Sequence, residues 1–195
     1  MPPTRREFLA VLAATVPVAA GTARGETAQN GLDKFLLPAP PCKDDLTPAV
    51  LGTDYRPGAP VRSSLIDPGE TGTRMTLAGY VTGLTCGRIK GARVDFWQAG
   101  PDGKLQATGF RLRGAVLTDA EGRYSLTTVV PGALAGRARR IGVRIAPAGK
   151  KPLATVLFFP DDSVAARDSQ FKPALVMKKV AGAENAYGFD FLLDA

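Results

Sequence analysis

An all-β sandwich preceded by an extended N-terminal arm is the fold that this 195-residue sequence predicts. Three observations predict it. Short apolar runs rich in β-branched and aromatic residues recur along the second two-thirds of the chain, each closed by turn chemistry. Gly (22 residues) and Pro (16) are plentiful, which favours many short strands over long helices. No long segment carries a helical period. The apolar fraction of 45% and the length suit a single globular domain. Three segments follow: a leader over 1–25, an arm over 26–70 and the sandwich over 71–195.

The leader begins Thr4-Arg5-Arg6-Glu7-Phe8-Leu9 and continues as an apolar run from Leu9 to Ala20. That run is too short to span a bilayer, which takes about 20 residues. Paired arginines before Phe-Leu resemble a twin-arginine (Tat) export signal, with cleavage after Ala20 or after Gly25. An ordinary secretory signal that contains Arg-Arg is the alternative. The expectation is a periplasmic or secreted protein with no membrane anchor after cleavage, exported alone, as a homo-oligomer or beside a protein partner. In an oxidising compartment Cys42 and Cys86 can pair, stapling the arm to the sandwich by about 2–4 kcal/mol. Two buried free thiols are the other possibility.

The arm is punctuated by Leu37-Pro38-Ala39-Pro40-Pro41 and by Arg56-Pro57-Gly58-Ala59-Pro60, neither of which can continue a helix or a central strand. Strands are then expected at Met75–Val81, Ala92–Trp97, Ala115–Thr118, Arg123–Val130, Ile141–Ile145, Leu153–Phe159 and Tyr187–Leu193. Among them lie the turns Gly100-Pro101-Asp102-Gly103, Asp119-Ala120-Glu121-Gly122 and Pro160-Asp161-Asp162. In the fifth run Ile141, Val143 and Ile145 share one face, the expected core face. Arg140, Gly142 and Arg144 share the other, and composition alone reads it as a solvated basic edge.

Composition also removes several chemistries. The chain has no His, so it cannot run a Ser-His-Asp or Cys-His triad or bind metal through imidazole. Two cysteines cannot build a four-cysteine zinc site or hold an iron–sulfur cluster. The net charge is +7; without Arg5, Arg6, Arg24 and Glu7 of the leader it is 22 basic against 17 acidic residues, or +5. No aromatic residues interleave with the basic ones as stacking platforms, so no nucleic-acid partner is expected.

The order of motifs resembles the intradiol ring-cleavage dioxygenases, the catechol and protocatechuate dioxygenase superfamily. Gly52 to Ser63 is similar to that family's entry segment, and Cys86 to Ala99 to the strand ending in its Trp-Gln-Ala-like motif. Arg113-Gly114, Thr118-Asp119-Ala120-Glu121-Gly122-Arg123-Tyr124 and Thr128 to Gly132 follow in the family's order. Leu157-Phe158-Phe159-Pro160 and Phe189 to Leu193 complete the series. The resemblance covers nearly all of the chain after the leader and implies a prealbumin-like β-sandwich.

Family enzymes hold a ferric ion with two tyrosinates and two histidines. By position those four ligands become Leu105, Leu134, Arg140 and Gly142. Leucine and glycine side chains carry no donor, and a guanidinium stays protonated and repels a cation. The remaining tyrosines, Tyr55, Tyr80, Tyr124 and Tyr187, lie in the arm, on strands or near the end of the chain. The resemblance therefore implies no cofactor. One family position survives: Arg137 matches an arginine that stabilises developing negative charge on the substrate in active members. With Arg140 it forms a candidate cationic pocket, flanked by Leu105, Leu134 and Gly142, for an anionic aromatic or carboxylate ligand. The competing reading is a collapsed pocket, filled by Leu105 and Leu134, with its arginines turned to water.

Three functions are compatible with these residues: a non-catalytic accessory protein that binds a partner, a small-molecule binder, and a cofactor-free lyase or isomerase. The last would use Arg140 as electrophile and a Tyr or Asp as base. Asp54, Asp95 and Asp119 are the carboxylates near motif segments, although Asp119 reads as a turn residue bonded to its own backbone and Asp95 as an outward strand position. Fe(III) ring cleavage of catechol-type substrates ranks last.

Overall fold

The computed structural model describes residues 31–39, 45–50, 54–134 and 136–195. The expected leader and Cys42 lie outside them. No cysteine is a free thiol among the described residues, and the pairing of Cys86 with Cys42 stays a proposal.

Among the described residues nine strands follow one another as β1 (Arg74–Gly83), β2 (Arg93–Gln98), β3 (Arg113–Leu117), β4 (Arg123–Val129), β5 (Arg140–Ala146), β6 (Leu153–Phe158), β7 (Lys178–Lys179), β8 (Ala186–Gly188) and β9 (Phe191–Leu193). They form two sheets. One is fully antiparallel in the order β3-β2-β5-β6. The other runs β4-β1-β8-β7, with β9 parallel to the far end of β1. Two single-turn 3-10 segments, Ala165–Arg167 and Pro173–Leu175, follow β6.

The core lies between the sheets, as the period-2 pattern requires. Ile141, Val143 and Ile145 of β5 are fully buried against Leu77, Val81, Leu126 and Phe191 of the other sheet. An aromatic spine ties the layers, with Phe96 against Tyr124 at 5.7 Å and Tyr124 against Phe191 at 5.5 Å between ring centres.

The arm closes one flank of the sandwich. Val61 bridges Ala115 of β3, and Ser64 bridges Thr127 of β4. Arg62 and Leu65 donate their backbone N–H groups to Ala115 and Thr127 at 2.8 and 2.9 Å. A few residues thus cover an edge of each sheet, which removes the unpaired rows that invite strand addition. Farther up the arm, Val50 N–H donates to Ala154 O of β6 at 3.0 Å, and Thr47 exchanges hydrogen bonds with Leu192.

Two expectations need correction. The closing run Tyr187–Leu193 is not one strand: it breaks at Phe189-Asp190 into β8 and β9. At the break the Asp190 carboxylate, rather than a backbone carbonyl, takes the Tyr80 N–H at 2.9 Å. Gly79 of β1 approaches so closely there that a Cβ would overlap the Phe189 carbonyl. The second correction is β7, a two-residue strand of exposed lysines that no apolar run announced. Asp119 does cap its turn: its Oδ1 accepts the N–H of Glu121 at 3.0 Å and of Arg123 at 2.8 Å.

Candidate functional site

The outer face of the β3-β2-β5-β6 sheet carries the site. Strand parity sends Arg140, Gly142 and Arg144 of β5 to this face, and the register sets Trp97 opposite Gly142 and Asp95 opposite Arg144. The expectation of a solvated basic edge fails here because the arm and the segment carrying Asp168 and Gln170 lie across it. Arg140 is only 9% exposed, and Asp95, expected to point outward to solvent, is 1% exposed.

Asp95 is the anchor of the covered face. Its Oδ1 accepts Arg93 Nε at 2.9 Å, and its Oδ2 faces Arg144 Nη1 at 3.7 Å and accepts the Tyr55 hydroxyl at 3.4 Å. Tyr55 also rests on the Trp97 indole at 5.4 Å between ring centres, with the Arg144 guanidinium 5.1 Å from its own ring. One carboxylate therefore pairs with two arginines and fixes an arm aromatic over the sheet. Next to it Asp54 takes a left-handed backbone with φ of 72°, and its carbonyl accepts Arg113 Nη1.

Beyond Tyr55 the four positions that the resemblance aligns with the family's ligands come together. Leu105, Leu134, Arg140 and Gly142 line one cavity with Trp97 and Asp54. Its free volume is about 20 Å3, room for a single water but not for an aromatic ring. The cause is visible at Gly142: a Cβ there would sit inside the Trp97 indole. The indole itself lies on bare backbone, a position a histidine at 142 could not share with it.

Arg140 forms the polar wall. Its Nη1 donates to Gln170 Oε1 at 2.7 Å and faces Asp168 Oδ2 at 3.5 Å. Asp168 is held in turn by the backbone N–H groups of Ala138 (3.1 Å) and Gln170 (3.0 Å). Burial and the nearby Arg137 lower the Arg140 pKa, against the opposing charges of Asp168 and Asp54. It remains a cation, as arginine does in proteins. Arg140 is thus neither turned to water nor open to a large ligand. Arg137 shares the Gln170 amide oxygen at 3.3 Å but opens onto a different space, a cleft of about 460 Å3. Among the described residues Leu134 borders both.

Sequence reading brought Leu105, Leu134, Arg140 and Gly142 to one site by resemblance, and the structure places them together. It separates Arg137 from them, on the far side of Leu134. It also adds residues that the sequence reading did not assign to the site. Trp97 enters the sequence reading only as the end of a strand, and Gln170 and Asp168 sit in an irregular segment about thirty residues past Arg140. Only the cross-strand register could have pointed to Trp97, and nothing in the sequence pattern points to Gln170.

A ferric ion with two phenolates and two imidazoles does not fit this residue set. Two positions are alkyl, one is a cation and one is backbone beneath an indole. Among the described residues no tyrosine lines this cavity. Burial holds the Tyr124 hydroxyl well above the ordinary range, and it donates to Phe189 O at 2.8 Å; burial also raises Tyr187. Among the described residues no group of three or more His, Cys, Asp or Glu is placed to hold a metal ion.

Known proteins carry the same scaffold. A sequence profile of the family described as Dioxygenase matches residues 52–195. Catechol 1,2-dioxygenase 1 of Acinetobacter lwoffii is 34% identical over 122 residues, 53% of this chain and 39% of that protein, so the chain spans well under half the length of that relative. The dioxygenase domain of a dioxygenase carbohydrate-binding protein fusion from Streptomyces sp. SirexAA-E superposes with a TM-score of 0.72 at 39% identity, over 77% of this chain and 99% of that domain. Hydroxyquinol 1,2-dioxygenase from Pseudomonas putida DLL-E4 shares the fold with a TM-score of 0.66 at 23% identity, over 76% of this chain and 66% of that one. With motif order, sheet topology and family profile in agreement, the chain belongs to the intradiol dioxygenase superfamily.

Proposed function

We propose that this protein is a metal-free member of its superfamily, exported by the twin-arginine route, that acts without ring-cleavage chemistry as an accessory or ligand-binding protein of the periplasm. One observation carries the reading: the four positions that would hold iron converge on a cavity of about 20 Å3, closed by the Trp97 indole over Gly142 and by the buried Arg140 guanidinium. Arg140 keeps positive charge where the family keeps a metal, and its Gln170 and Asp168 partners hold it in place. A non-catalytic role with a protein partner or in a homo-oligomer is consistent with a scaffold whose β3 and β4 edges the arm already covers.

A second reading is intradiol ring cleavage itself, favoured by the family profile and by relatives named as catechol and hydroxyquinol dioxygenases. Metal analysis of protein exported through its own leader, with a visible spectrum and oxygen uptake on catechol, separates the two. The proposed function predicts no stoichiometric iron, no phenolate-to-iron charge-transfer band and no uptake. Stoichiometric iron with that band would overturn it. A cofactor-free lyase or isomerase would instead have Asp54 as the carboxylate bordering the cavity beside Arg140, because Asp95 and Asp119 are committed to ion pairs and a turn. Turnover by chelator-treated protein, lost in Asp54→Asn, would favour it.

A further inference from the structure

The end of the sandwich opposite the candidate site is built from loops of both sheets. Register brings them together: β1 and β9 finish side by side, with Gly83 beside Leu193. In the other sheet Arg93 opens β2 and faces both Leu117 at the end of β3 and Ala146 at the end of β5. The β5–β6 turn at 147–152 therefore projects from this end, with the β1–β2 connection and the β3–β4 turn. The arm joins them where Thr47 donates its N–H to Leu192 O at 2.9 Å. Trp97 and Arg140 lie where β2 finishes and β5 starts, at the far end.

Charge is divided across this end. Over the β3-β2-β5-β6 half, Lys90, Lys150 and Lys151 are exposed, and Arg93 and Arg144 share the carboxylate of Asp95. Over the other half, Asp45 and Asp194 are exposed, and Arg123 is outnumbered by Asp33, Asp119 and Glu121. Arg88 and Lys34, held over the Tyr80 and Phe35 rings at 4.2 and 4.8 Å, leave that half acidic. Among the described residues none of the three lysines and neither Asp45 nor Asp194 joins an ion pair. Each half also exposes leucine: Leu117 (53%) on the basic half, Leu46 (42%) and Leu84 (40%) on the acidic half. Large apolar side chains left open on several loops of one end mark a contact surface.

A polyanion or an anionic lipid surface would be repelled by one half of this end. A second copy turned by 180° would not, because each basic half then meets an acidic half. We propose that this end pairs with the same end of a second copy about a two-fold axis. Lys90, Lys150 and Lys151 of each protomer face Asp45 and Asp194 of the other, and Leu117 packs on Leu46 and Leu84. The Arg137 cleft lies outside the contact and stays open. The inference rests on the proposed function and specifies its homo-oligomer.

Sedimentation equilibrium of the exported chain, at rising protein concentration and at low and high salt, tests it. A monomer–dimer equilibrium that weakens as salt rises is expected. Lys150→Glu with Lys151→Glu, and separately Asp45→Lys with Asp194→Lys, should each raise the dimer Kd by about tenfold or more. Mixed one to one, the two double variants regain both charge contacts and should form a heterodimer. All four residues are exposed, so both variants should unfold at nearly the midpoint of the unaltered chain. A monomer at every concentration, a dimer that neither variant weakens, or a mixture that associates no better than its components would each overturn the proposal. An iron-free monomer sinks this inference alone; a dimer carrying stoichiometric iron sinks the proposed function alone.

Discussion

The two faces of the β3-β2-β5-β6 sheet are built from the same strands by different physics. On the inner face Phe96, Ile141, Val143 and Ile145 lose water to one another and to the opposite sheet, a non-directional gain proportional to buried area. On the outer face Asp95, Arg140 and Trp97 are buried as well and Arg144 is half-buried, but through ion pairs, ring contacts and a covering arm. The inner face tolerates exchange of one apolar side chain for another of similar volume. The outer face depends on named partners, and so does the shape of the cavity beneath it. Alternating residues on one strand thus serve two different ends, stability inside and site geometry outside.

The comparison breaks most readily from the inner side. Phe96→Ala should cost about 3–5 kcal/mol in denaturant unfolding, because it opens a void beneath the Phe96–Tyr124–Phe191 spine. A loss under about 1 kcal/mol would show that the two sheets are not held together there. On the outer face Gly142→Ala should cost about 1–3 kcal/mol by overpacking, since its methyl group needs the space of the indole. It should also shift Trp97 emission, which Phe96→Ala should disturb less for the same lost stability. Unchanged emission and stability together would mean that the indole does not lie on Gly142.

Smaller effects sharpen the same contrast. Tyr124 stays neutral in the core with its ionisation pushed upward, whereas in the unfolded chain it ionises near pH 10. The folded state then binds more protons above that pH. Stability should hold below about pH 10 and fall as pH rises further, by about 1.4 kcal/mol per pH unit for each such group. Tyr124→Phe should flatten the decline and leave a residual slope from Tyr187, at a cost of about 1 kcal/mol for the lost bond to Phe189 O. Urea midpoints on either side of pH 10 provide the check. Asp95→Ala, last, should cost about 1–2 kcal/mol: its carboxylate is buried, but Arg93 and Arg144 reach water and can hydrate once released. Faster proteolysis within the arm at Tyr55 should accompany that loss, and its absence would show that Asp95 does not fasten the arm.

Much of the fold was legible in the residues. Parity in β5 separated Ile141, Val143 and Ile145 from Arg140, Gly142 and Arg144 without any coordinates, because side chains in a strand alternate by geometry. The turn at Asp119 was legible for the same local reason, as were the absence of imidazole and the alkyl character of Leu105 and Leu134. These are properties of a residue and its near neighbours. The environment of the outer face was not among them. Whether Arg140 meets water, an anion or a carboxylate depends on Asp168 and Gln170, about thirty residues away in a segment with no period. Whether Gly142 leaves an open pocket depends on the Trp97 rotamer across the ladder, and whether Asp95 is exposed depends on where an irregular arm comes to rest. Long-range pairing and side-chain packing decided those points, gathering Leu105, Leu134, Arg140 and Gly142 around a closed cavity and leaving Arg137 on a separate cleft beside it.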